Sequence, residues 1–311
     1  MATPDEDAIG DVEAAGRRGR ILRRLLSSAA GLTVGELATE FGVSERTVRR
    51  DLHFLADLPK IQLTRGGARA VRALEYYDLQ MQRRTLHKRT CARVIVEGGP
   101  LSTGERAERL IERSEAVFLG MGSSVRMVGD ILAQVEDNSN AVMTNSIGVI
   151  DTLRHSPSVK VWSSGGKLAS DLGGFIGDVA ADQIRQFNAR KAVVGTSGMS
   201  FTTRSKDGQS LIDLELTFHD EIQKPVLDAV IDMASLETII IPADSSKMDR
   251  SDPWRFATVQ HLVREKRKRV VIVTDWEVSP DFCEHFERMR GTLPDSDRDL
   301  ARLLVVKNPN A

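Results

Sequence analysis

Three arginines recur on one side of a short predicted helix. Residues 44–55 predict a helix with an apolar face that can pack inside the protein and an opposite face that carries Arg46, Arg49 and Arg50. A guanidinium can bind the edge of a guanine base through two hydrogen bonds, or it can hold a backbone phosphate. These residues therefore predict a helix that enters the major groove of DNA.

The residues around this helix predict a helix-turn-helix followed by a wing. Thr33 and Glu36 have the spacing of a capping box at the start of a preceding helix, and Gly42 supplies the turn after it. Ser44 is a favourable N-cap for the basic helix. A hairpin across Arg65-Gly66-Gly67 predicts a wing whose glycines let the backbone approach DNA. The predicted DNA-binding residues are Thr33, Ser44, Arg46, Thr47, Arg49, Arg50, Arg65 and Gly66.

The distribution of charge supports a nucleic-acid partner although the net charge of the 311 residues is only -1. Residues 1–16 hold five acids and no Lys or Arg, whereas residues 17–72 hold twelve bases and five acids. A basic segment in a neutral chain is typical of a protein that binds the phosphate backbone. The alternatives are a basic helix that only faces water and an adaptor that binds a protein partner. The order of caps, turn, helix and hairpin favours DNA.

A second group of residues could bind a phosphorylated sugar. Gly122-Ser123-Ser124 precedes a predicted helix, and such a turn offers amides, hydroxyls and the positive end of the helix dipole to a phosphate. Amide and charged side chains farther along the chain could bind sugar hydroxyls or neutralise the phosphate, and paired glycines allow close backbone approach. The predicted effector-binding residues are Gly122, Ser123, Ser124, Asn145, Gly165, Gly166, Asp244 and Lys247. For each motif alone, an ordinary turn, a loop cap or a surface ion pair is the alternative.

These motifs lie in a region where apolar runs alternate with helical stretches. The apolar runs are residues 116–119, 141–143, 159–162, 192–194, 238–241, 270–273 and 303–306, and the helical stretches include 125–134, 178–187 and 221–234. This alternation predicts βαβ units and a parallel sheet that is covered on both faces. Ligands of such sheets bind at the carboxyl ends of the strands, so the predicted loops should converge on one crevice.

Several motifs together resemble the DeoR family of bacterial regulators. Residues 32–38 and 41–52 are similar to its DNA-binding signature, and Arg65-Gly66-Gly67-Ala68 is similar to the end of its wing. In the second domain the similar segments are Gly120–Ser124, Thr144–Ser146, Gly165-Gly166, Gly195–Gly198 and Ala243–Lys247. The resemblance implies a domain on the scaffold of ribose-phosphate isomerases and sugar-phosphate deaminases, which binds a phosphorylated sugar without transforming it.

The chain departs from the family pattern at three places. Gly120 stands where the family usually has Asp, residues 100–112 form an insertion, and residues 204–216 are longer than usual. The Glu-x-x-Lys start of a helix recurs in altered form at Glu221–Lys224, and the residues beyond 276 have no counterpart. These departures predict an effector that differs from the common ones.

We therefore predict four segments: a disordered acidic tail at 1–16, a winged helix-turn-helix domain at 17–72, a helical connector at 73–97 and an effector-binding α/β domain at 98–311. The chain begins without a secretory signal and has no stretch that could span a bilayer, so we expect a cytoplasmic protein without a membrane partner. Cys91 and Cys283 have no partner spacing, so we expect no disulfide, no metal and no cofactor.

The function predicted from these features is that of a DNA-binding transcriptional regulator. We expect a repressor of a carbohydrate or related metabolic operon, with its affinity for double-stranded operator DNA modulated by a phosphorylated sugar. Operators commonly carry repeated half-sites, so we expect a homo-oligomer, either a dimer or a tetramer. The alternative is an isomerase or deaminase on the same scaffold, which would need a positioned carboxylate base. Glu215, Asp220 and Glu221 are the candidate bases, but no catalytic signature accompanies them.

Overall fold

The computed structural model divides the chain into two units, Met1–Leu79 and Gln80–Ala311. It describes residues 17–18, 20–22, 24–25, 28, 31–56, 61–70, 82, 84–136, 138–206 and 209–310. The predicted acidic tail at 1–16 and residues 73–81 of the predicted connector lie outside the described residues. Within the described part of the chain, no helix combines the length and the apolar character needed to cross a membrane.

The first unit is the predicted helix-turn-helix with its wing. The described residues between 17 and 25 are helical. They are followed by β1 (Leu32–Thr33), α1 (Val34–Phe41), α2 (Glu45–Ala56), β2 (Ile61–Thr64) and β3 (Gly67–Ala70). The buried core that joins these elements consists of Ile21, Leu25, Val34, Leu37, Val48, Leu52, Leu55, Ile61 and Ala68. The apolar face predicted for the basic helix therefore does pack inside the unit.

The wing contains a strand that the sequence did not indicate. β1 pairs antiparallel with β3 through Leu32 and Thr33, so the hairpin becomes a three-stranded sheet in the order β1-β3-β2. Gly67 permits this pairing, because a Cβ at that position would collide with the carbonyl oxygen of Leu32 and the Cα of Thr33. The residue that caps α1 is thereby fixed to the wing.

A buried carboxylate ties the basic helix to the first helix of the unit. Asp51 of α2 is only 1% exposed, and it accepts hydrogen bonds from Nε of Arg17 at 2.6 Å and Nε of Arg18 at 2.9 Å. The guanidinium of Arg18 also lies 4.0 Å from the ring centre of Phe54, the length of a cation–π contact. Asp51 therefore fixes α2 from within, while the outer face of the helix remains exposed.

The second unit is built on strands of one dominant sheet. Its strands are β4 (Gly99–Pro100), β5 (Arg106–Ala107), β6 (Ala116–Leu119), β7 (Ala141–Thr144), β8 (Lys160–Ser163), β9 (Lys167–Ala169), β10 (Gly174–Ile176), β11 (Lys191–Val193), β12 (Gly198–Lys206), β13 (Gln209–Phe218), β14 (Thr238–Pro242), β15 (Trp254–Thr258), β16 (Arg269–Thr274) and β17 (Ala301–Val305). Seven of them form a parallel sheet in the order β17-β16-β14-β11-β6-β7-β8. All seven predicted strands are confirmed, with ends that move by one or two residues at most.

Helices cover this sheet on both faces, as predicted. They are α3 (Thr85–Glu97), α4 (Ser123–Leu132), α5 (Ile147–Leu153), α6 (Asp178–Gln186), α7 (Lys224–Ile231) and α8 (Pro280–Gly291), with 3-10 turns at Glu221–Gln223, Ser245–Lys247 and Asp295–Leu300 and a π turn at His261–Glu265. Neighbouring strand residues point to opposite faces. Phe118 accordingly packs with α6, α7 and α8 in one core, whereas Val117 packs with α3, α4 and α5 in the other.

The strand order reverses at the centre of the sheet. From β6 the chain adds β7 and β8 on one side, and it then crosses over to add β11, β14, β16 and β17 on the other side. The connections after β6 and β11 leave the sheet in opposite directions, and the space outside their carboxyl ends is where ligands of open α/β sheets bind. The loops that carry the predicted phosphate-binding residues begin at this end.

Two parts of the second unit differ from the expectation. The helix α3 was expected to be a connector, but Cys91, Ile95 and Val96 are buried in the core of the second unit, so the unit begins before residue 98. The residues beyond 276, which match no family motif, form α8 and β17, and β17 is the outermost strand of the parallel sheet. The predicted helix at 221–234 begins as a 3-10 turn, because Pro225 can supply no backbone donor and stands in the first turn of α7.

The role of Asp51 gives a test of the first unit. Asp51→Asn should lower the free energy of unfolding of this unit by about 1–3 kcal/mol, because it leaves two half-buried guanidinium groups without their charged partner. Hydrogen exchange of the α1 and α2 amides in the full chain measures this change. Glu40→Gln, which removes the exposed Arg24–Glu40 ion pair, is the matched control and should cost less than about 1 kcal/mol. Equal effects of the two substitutions would show that Asp51 does not anchor α2.

Candidate functional site

The outer face of α2 carries the three predicted arginines. Arg46, Arg49 and Arg50 are all exposed, and Arg49 Nη2 donates to the carboxylate of Glu45 at 2.9 Å. This pair lies on the surface, where an ion pair contributes little, so Arg49 can exchange Glu45 for an anionic partner. His53 extends the same exposed face.

Both predicted caps of the helix-turn-helix are present. Thr33 and Glu36 form the capping box reciprocally: the Thr33 amide donates to Glu36 Oε2 at 2.7 Å, and the Glu36 amide donates to Thr33 Oγ1 at 3.2 Å. The hydrogen bond from the Thr33 backbone holds the pKa of Glu36 below its ordinary value. Ser44 Oγ accepts from the Thr47 amide at 3.2 Å and caps α2.

The tip of the wing is open to solvent. Arg65 and Gly66 form the two-residue turn between β2 and β3, and both are exposed. Gly66 has a φ of 92°, a left-handed conformation that side chains disfavour. The predicted DNA-binding residues of the first unit are therefore exposed or only half-buried.

In the second unit, Gly122 and the two serines form the start of α4. Gly122 is the N-cap residue with a φ of 116°, and because it has no side chain it cannot cap the first turn itself. Ser123 and Ser124 are 9% and 2% exposed. The free amides of a helix start attract an anion, and these two hydroxyls lie beside them.

The loop after β14 brings Lys247 to this turn. Lys247 Nζ donates to Ser124 Oγ at 3.3 Å, although the two residues are 123 positions apart. Burial lowers the pKa of Lys247, and the negative charge of Asp244 opposes that change only in part. The predicted pairing of a phosphate-type turn with an ammonium group is thus present in the structure.

Asp244 is engaged within its own loop. It is 2% exposed, it accepts from the amide and the hydroxyl of Ser246, and it lies 3.3 Å from Nε of Arg84. Burial alone would raise the pKa of Asp244, but the positive charges of Lys247, Lys88 and Arg84 and the Ser246 hydrogen bond outweigh it, so the pKa is lowered. Asp244 therefore remains a carboxylate that orders the loop carrying Lys247.

Asn145 follows β7 and lies in the same region. Its side-chain Nδ2 donates to the backbone oxygen of Phe175 at 3.0 Å, while its Oδ1 is buried and has no hydrogen-bond partner among the described residues. Gly174, which the sequence did not single out, packs closely beside Asn145. A Cβ on Gly174 would collide with the side chain of Met121 and with the backbone oxygen of Asn145. A glycine at the first residue of β10, directly after the turn from β9, was the signal that could have found it.

Gly165 and Gly166 also follow a parallel strand, but their described surroundings differ. A Cβ on Gly166 would lie 2.8 Å from the oxygen of Ile176 and 3.0 Å from Cβ of Ala180, so this glycine serves close packing of its turn on β10 and α6. A Cβ on Gly165 would meet no atom within 4 Å. Within the described ranges, no hydrogen bond joins either glycine to Ser124 or Lys247.

The sequence motifs did not predict the cluster of charged residues that surrounds Arg84. Arg84 precedes α3, and its Nη2 donates to Ser245 Oγ at 2.8 Å and to Glu277 Oε2 at 2.6 Å. Asp275 is fully buried beside it and accepts from the Ser245 amide at 2.7 Å. The first residues of the second unit are therefore bound directly to the loop that carries Lys247.

This cluster also contains the one set of ligand atoms, within the described part of the chain, whose spacing could suit a metal. The ligand atoms of His87, Asp275 and Glu277 lie within 4.8 Å of one another. The guanidinium of Arg84 already contacts both carboxylates, at 3.4 Å and 2.6 Å. A cationic side chain therefore already balances the charge of these two carboxylates.

The carboxylates considered for an enzyme have other partners. Glu215 pairs with Arg255 at 2.9 Å, Asp220 caps the 3-10 turn through the Ile222 amide, and Glu221 is exposed. None of the three is among the residues that line the small cavity beside Gly120 and Asn145.

An exposed basic helix in a helix-turn-helix, joined in one chain to an α/β unit with a half-buried ammonium after a strand of its parallel sheet, is typical of a ligand-responsive DNA-binding regulator. The chain belongs to the DeoR family. The family model described as the DeoR C terminal sensor domain matches residues 101–264, more than half of the chain, and the DeoR-like helix-turn-helix domain matches residues 17–73.

Individual relatives are similar over most of their length. The chain is 28% identical over 229 residues to a glycerol-3-phosphate regulon repressor of Haemophilus influenzae, which covers 73% of this chain and 79% of that protein. It is 24% identical over 243 residues to a lactose phosphotransferase system repressor of Staphylococcus epidermidis, and that alignment covers 78% of this chain and 87% of the relative. A solved ribose 5 phosphate isomerase A from Neisseria gonorrhoeae aligns with 53% of each chain at 15% identity and a TM-score of 0.29, a likeness too distant to carry an argument.

Proposed function

We propose that the protein represses a carbohydrate or related metabolic operon and that a phosphorylated sugar changes its affinity for the operator. The observation that carries this proposal is the hydrogen bond from Lys247 to Ser124 at the uncapped start of α4. An ammonium, two hydroxyls and free amides together suit a phosphate. The relatives named as repressors of the glycerol-3-phosphate regulon and of the lactose phosphotransferase system support the same class of effector.

The DNA interface that we propose follows from exposure and chemistry. In the proposed complex, α2 lies in the major groove and contacts base edges or backbone phosphates through Arg46, Arg49 and Arg50, because these side chains are exposed on one face of the helix. Thr33, Ser44 and Thr47 lie at the helix starts and bind phosphates of the backbone, and Arg65 and Gly66 bring the wing tip to the DNA.

The effector site that we propose lies at the carboxyl ends of the central strands. The phosphate accepts hydrogen bonds from the Ser123 and Ser124 amides and hydroxyls. It also replaces Ser124 Oγ as the acceptor of the hydrogen bond from the Lys247 ammonium. Gly122 leaves the backbone accessible, and Asp244 holds the loop of Lys247 in place. Asn145, Gly165 and Gly166 complete the predicted set at the sugar end of the site.

Arg84 provides the route by which the effector can act on DNA binding. The loop at 244–247 contacts both the proposed phosphate position and Arg84, and Arg84 stands at the start of the chain segment that leads back to the first unit. A phosphate that draws Lys247 toward it alters the charge balance of this loop. Coupling between two sites requires an element that both can bias, and we propose that the Arg84 cluster is that element.

The recognition helix is tested by charge removal. Arg49→Ala and Arg50→Ala should each weaken binding to a fragment of the native promoter by about 1–3 kcal/mol if the arginine reads a base, and by less if it holds a phosphate. Anisotropy titrations at fixed salt measure the affinity. Arg154→Ala, which removes an exposed arginine of the second unit, is the control and should have no effect. If the double variant binds as tightly as the unaltered protein, α2 is not the recognition helix.

The phosphate position is tested with paired ligands. Lys247→Ala should weaken the binding of a sugar phosphate about tenfold to a hundredfold, because a charge-assisted hydrogen bond is worth roughly 1.5–3 kcal/mol. The same substitution should barely affect the binding of the unphosphorylated sugar. Ser124→Asp should be worse, since it places a carboxylate where the phosphate binds. Lys224→Ala, at an exposed lysine, is the control.

Calorimetry as a function of pH adds a second reading of the same site. The ammonium of Lys247 is lost as pH rises through its lowered pKa, so the affinity of the unaltered protein should begin to fall at a lower pH than an ordinary lysine would give. This fall should be absent in Lys247→Ala. Equal affinity for the phosphorylated and unphosphorylated sugar would remove the support for the site.

The coupling role of Arg84 is tested by separating binding from response. Arg84→Gln should retain binding of the sugar phosphate while it reduces, by at least half, a ligand-induced change in operator affinity that is typically about 1–3 kcal/mol. Arg93→Gln, on the exposed side of the same helix, should leave the response intact. A full response in Arg84→Gln would assign the coupling to other residues.

A further inference from the structure

A small cavity adjoins the proposed phosphate position. Its volume is about 20 Å³, the space of one water molecule or one hydroxyl group. Gly120 and Met121, Asn145, Gly195 and Gln223 form part of its wall. Gly195 connects it to the phosphate turn, because a Cβ on Gly122 would lie 4.0 Å from the Gly195 Cα.

Asn145, one of the residues that line the cavity, has a buried acceptor atom for which the described residues supply no donor. Asn145 is 1% exposed, and its Nδ2 is used by the Phe175 oxygen, but its Oδ1 has no hydrogen-bond partner in the described part of the chain. A buried carbonyl oxygen without a donor is unfavourable, and native proteins usually supply one. The remaining walls include Phe118, Val226 and Leu227, which are apolar and would disfavour a charged occupant.

We propose that this cavity is a specificity subsite that receives one neutral hydroxyl group of the phosphorylated ligand, which donates to Asn145 Oδ1. The inference rests on the proposed function, because the phosphate at Ser123 and Ser124 holds the ligand in place. Gln223, which no sequence motif singled out, also lines the cavity and offers a second side-chain amide. The subsite selects polyol or sugar phosphates with a hydroxyl at the right distance from the phosphate over alkyl phosphates without one.

Gly120 keeps this cavity open. A Cβ on Gly120 would lie 3.3 Å from the Val193 oxygen and 3.4 Å from Cε1 of Phe118, so alanine fits after small shifts but takes up part of the cavity. Gly129 in α4 offers a matched control, because the same methyl group there would make an ordinary contact of 3.7 Å with Cγ1 of Val149. Gly129 does not line the cavity.

The test uses the full chain and calorimetry with glycerol 3-phosphate, ribose 5-phosphate, fructose 6-phosphate and inorganic phosphate. For whichever organic probe binds most tightly, Gly120→Ala should weaken binding at least tenfold, while inorganic phosphate should change by less than about twofold. Gly129→Ala should alter neither. Among singly deoxygenated forms of the same probe, at least one should bind the unaltered protein at least tenfold more weakly than the complete probe does. Gly120→Ala should lower the affinity of that deoxygenated form only slightly further, because both changes remove the same contact.

The outcomes separate the subsite from the effector site. If no organic probe binds more tightly than inorganic phosphate, the proposed function and the subsite both lose their support. If a probe binds tightly but Gly120→Ala leaves its affinity unchanged, or if every deoxygenation is tolerated by the unaltered protein, the subsite alone is overturned. The deoxygenation series needs no variant, so it decides the matter even if Gly120→Ala lowers stability.

Discussion

Mutual compensation of buried charges around one loop is the interaction on which the second unit depends. Asp244 and Asp275 are almost fully withdrawn from water, and the cationic groups of Arg84, Lys88 and Lys247 surround them. An isolated buried charge is strongly unfavourable, and the several opposite charges here share in offsetting that cost. The loop at 244–247 is consequently held from two sides, by the start of α4 through Lys247 and by the start of the unit through Arg84.

We propose that this balance lets the same loop serve both the effector site and its coupling to DNA binding. In this proposal a phosphate would add negative charge next to Lys247. It would thereby weaken the attraction between Asp244 and that ammonium and leave Arg84 as the principal counter-charge of Asp244. The sheet provides the common frame: β6, β14 and β16 are parallel strands of one sheet, so the loops that follow them begin at the same edge. The helix α3 belongs to the core of the second unit, and Arg84 immediately precedes it.

Much of this arrangement follows from the sequence because it depends on local or periodic signals. The seven strands were predicted because buried parallel strands are short apolar runs, and the meeting of Ser124 with Lys247 follows once both are placed after strands of one sheet. Thr33 and Ser44 were found as caps because capping partners lie three residues apart.

The remainder depends on partners that are distant in the sequence. Arg84 and Ser245 are separated by 161 positions, and nothing near Arg84 distinguishes it from the other arginines of the connector. In the sequence Asp51 resembles an ordinary surface acid, and only the structure shows that Arg17 and Arg18 donate hydrogen bonds to it. The strand β1 has only two residues, too few for a periodic signal, and the burial of α3 depends on the sheet that it covers.

The central claim is that ligand and operator act on one another through this loop, and reciprocal linkage tests it most directly. The affinity of the full chain for its tightest sugar phosphate should be measured with the protein free and with the protein saturated by an operator fragment. The two affinities should differ by the same factor by which the ligand changes operator affinity, because thermodynamic coupling is symmetric. Equal affinity of the sugar phosphate for the free and the operator-bound protein would contradict the account.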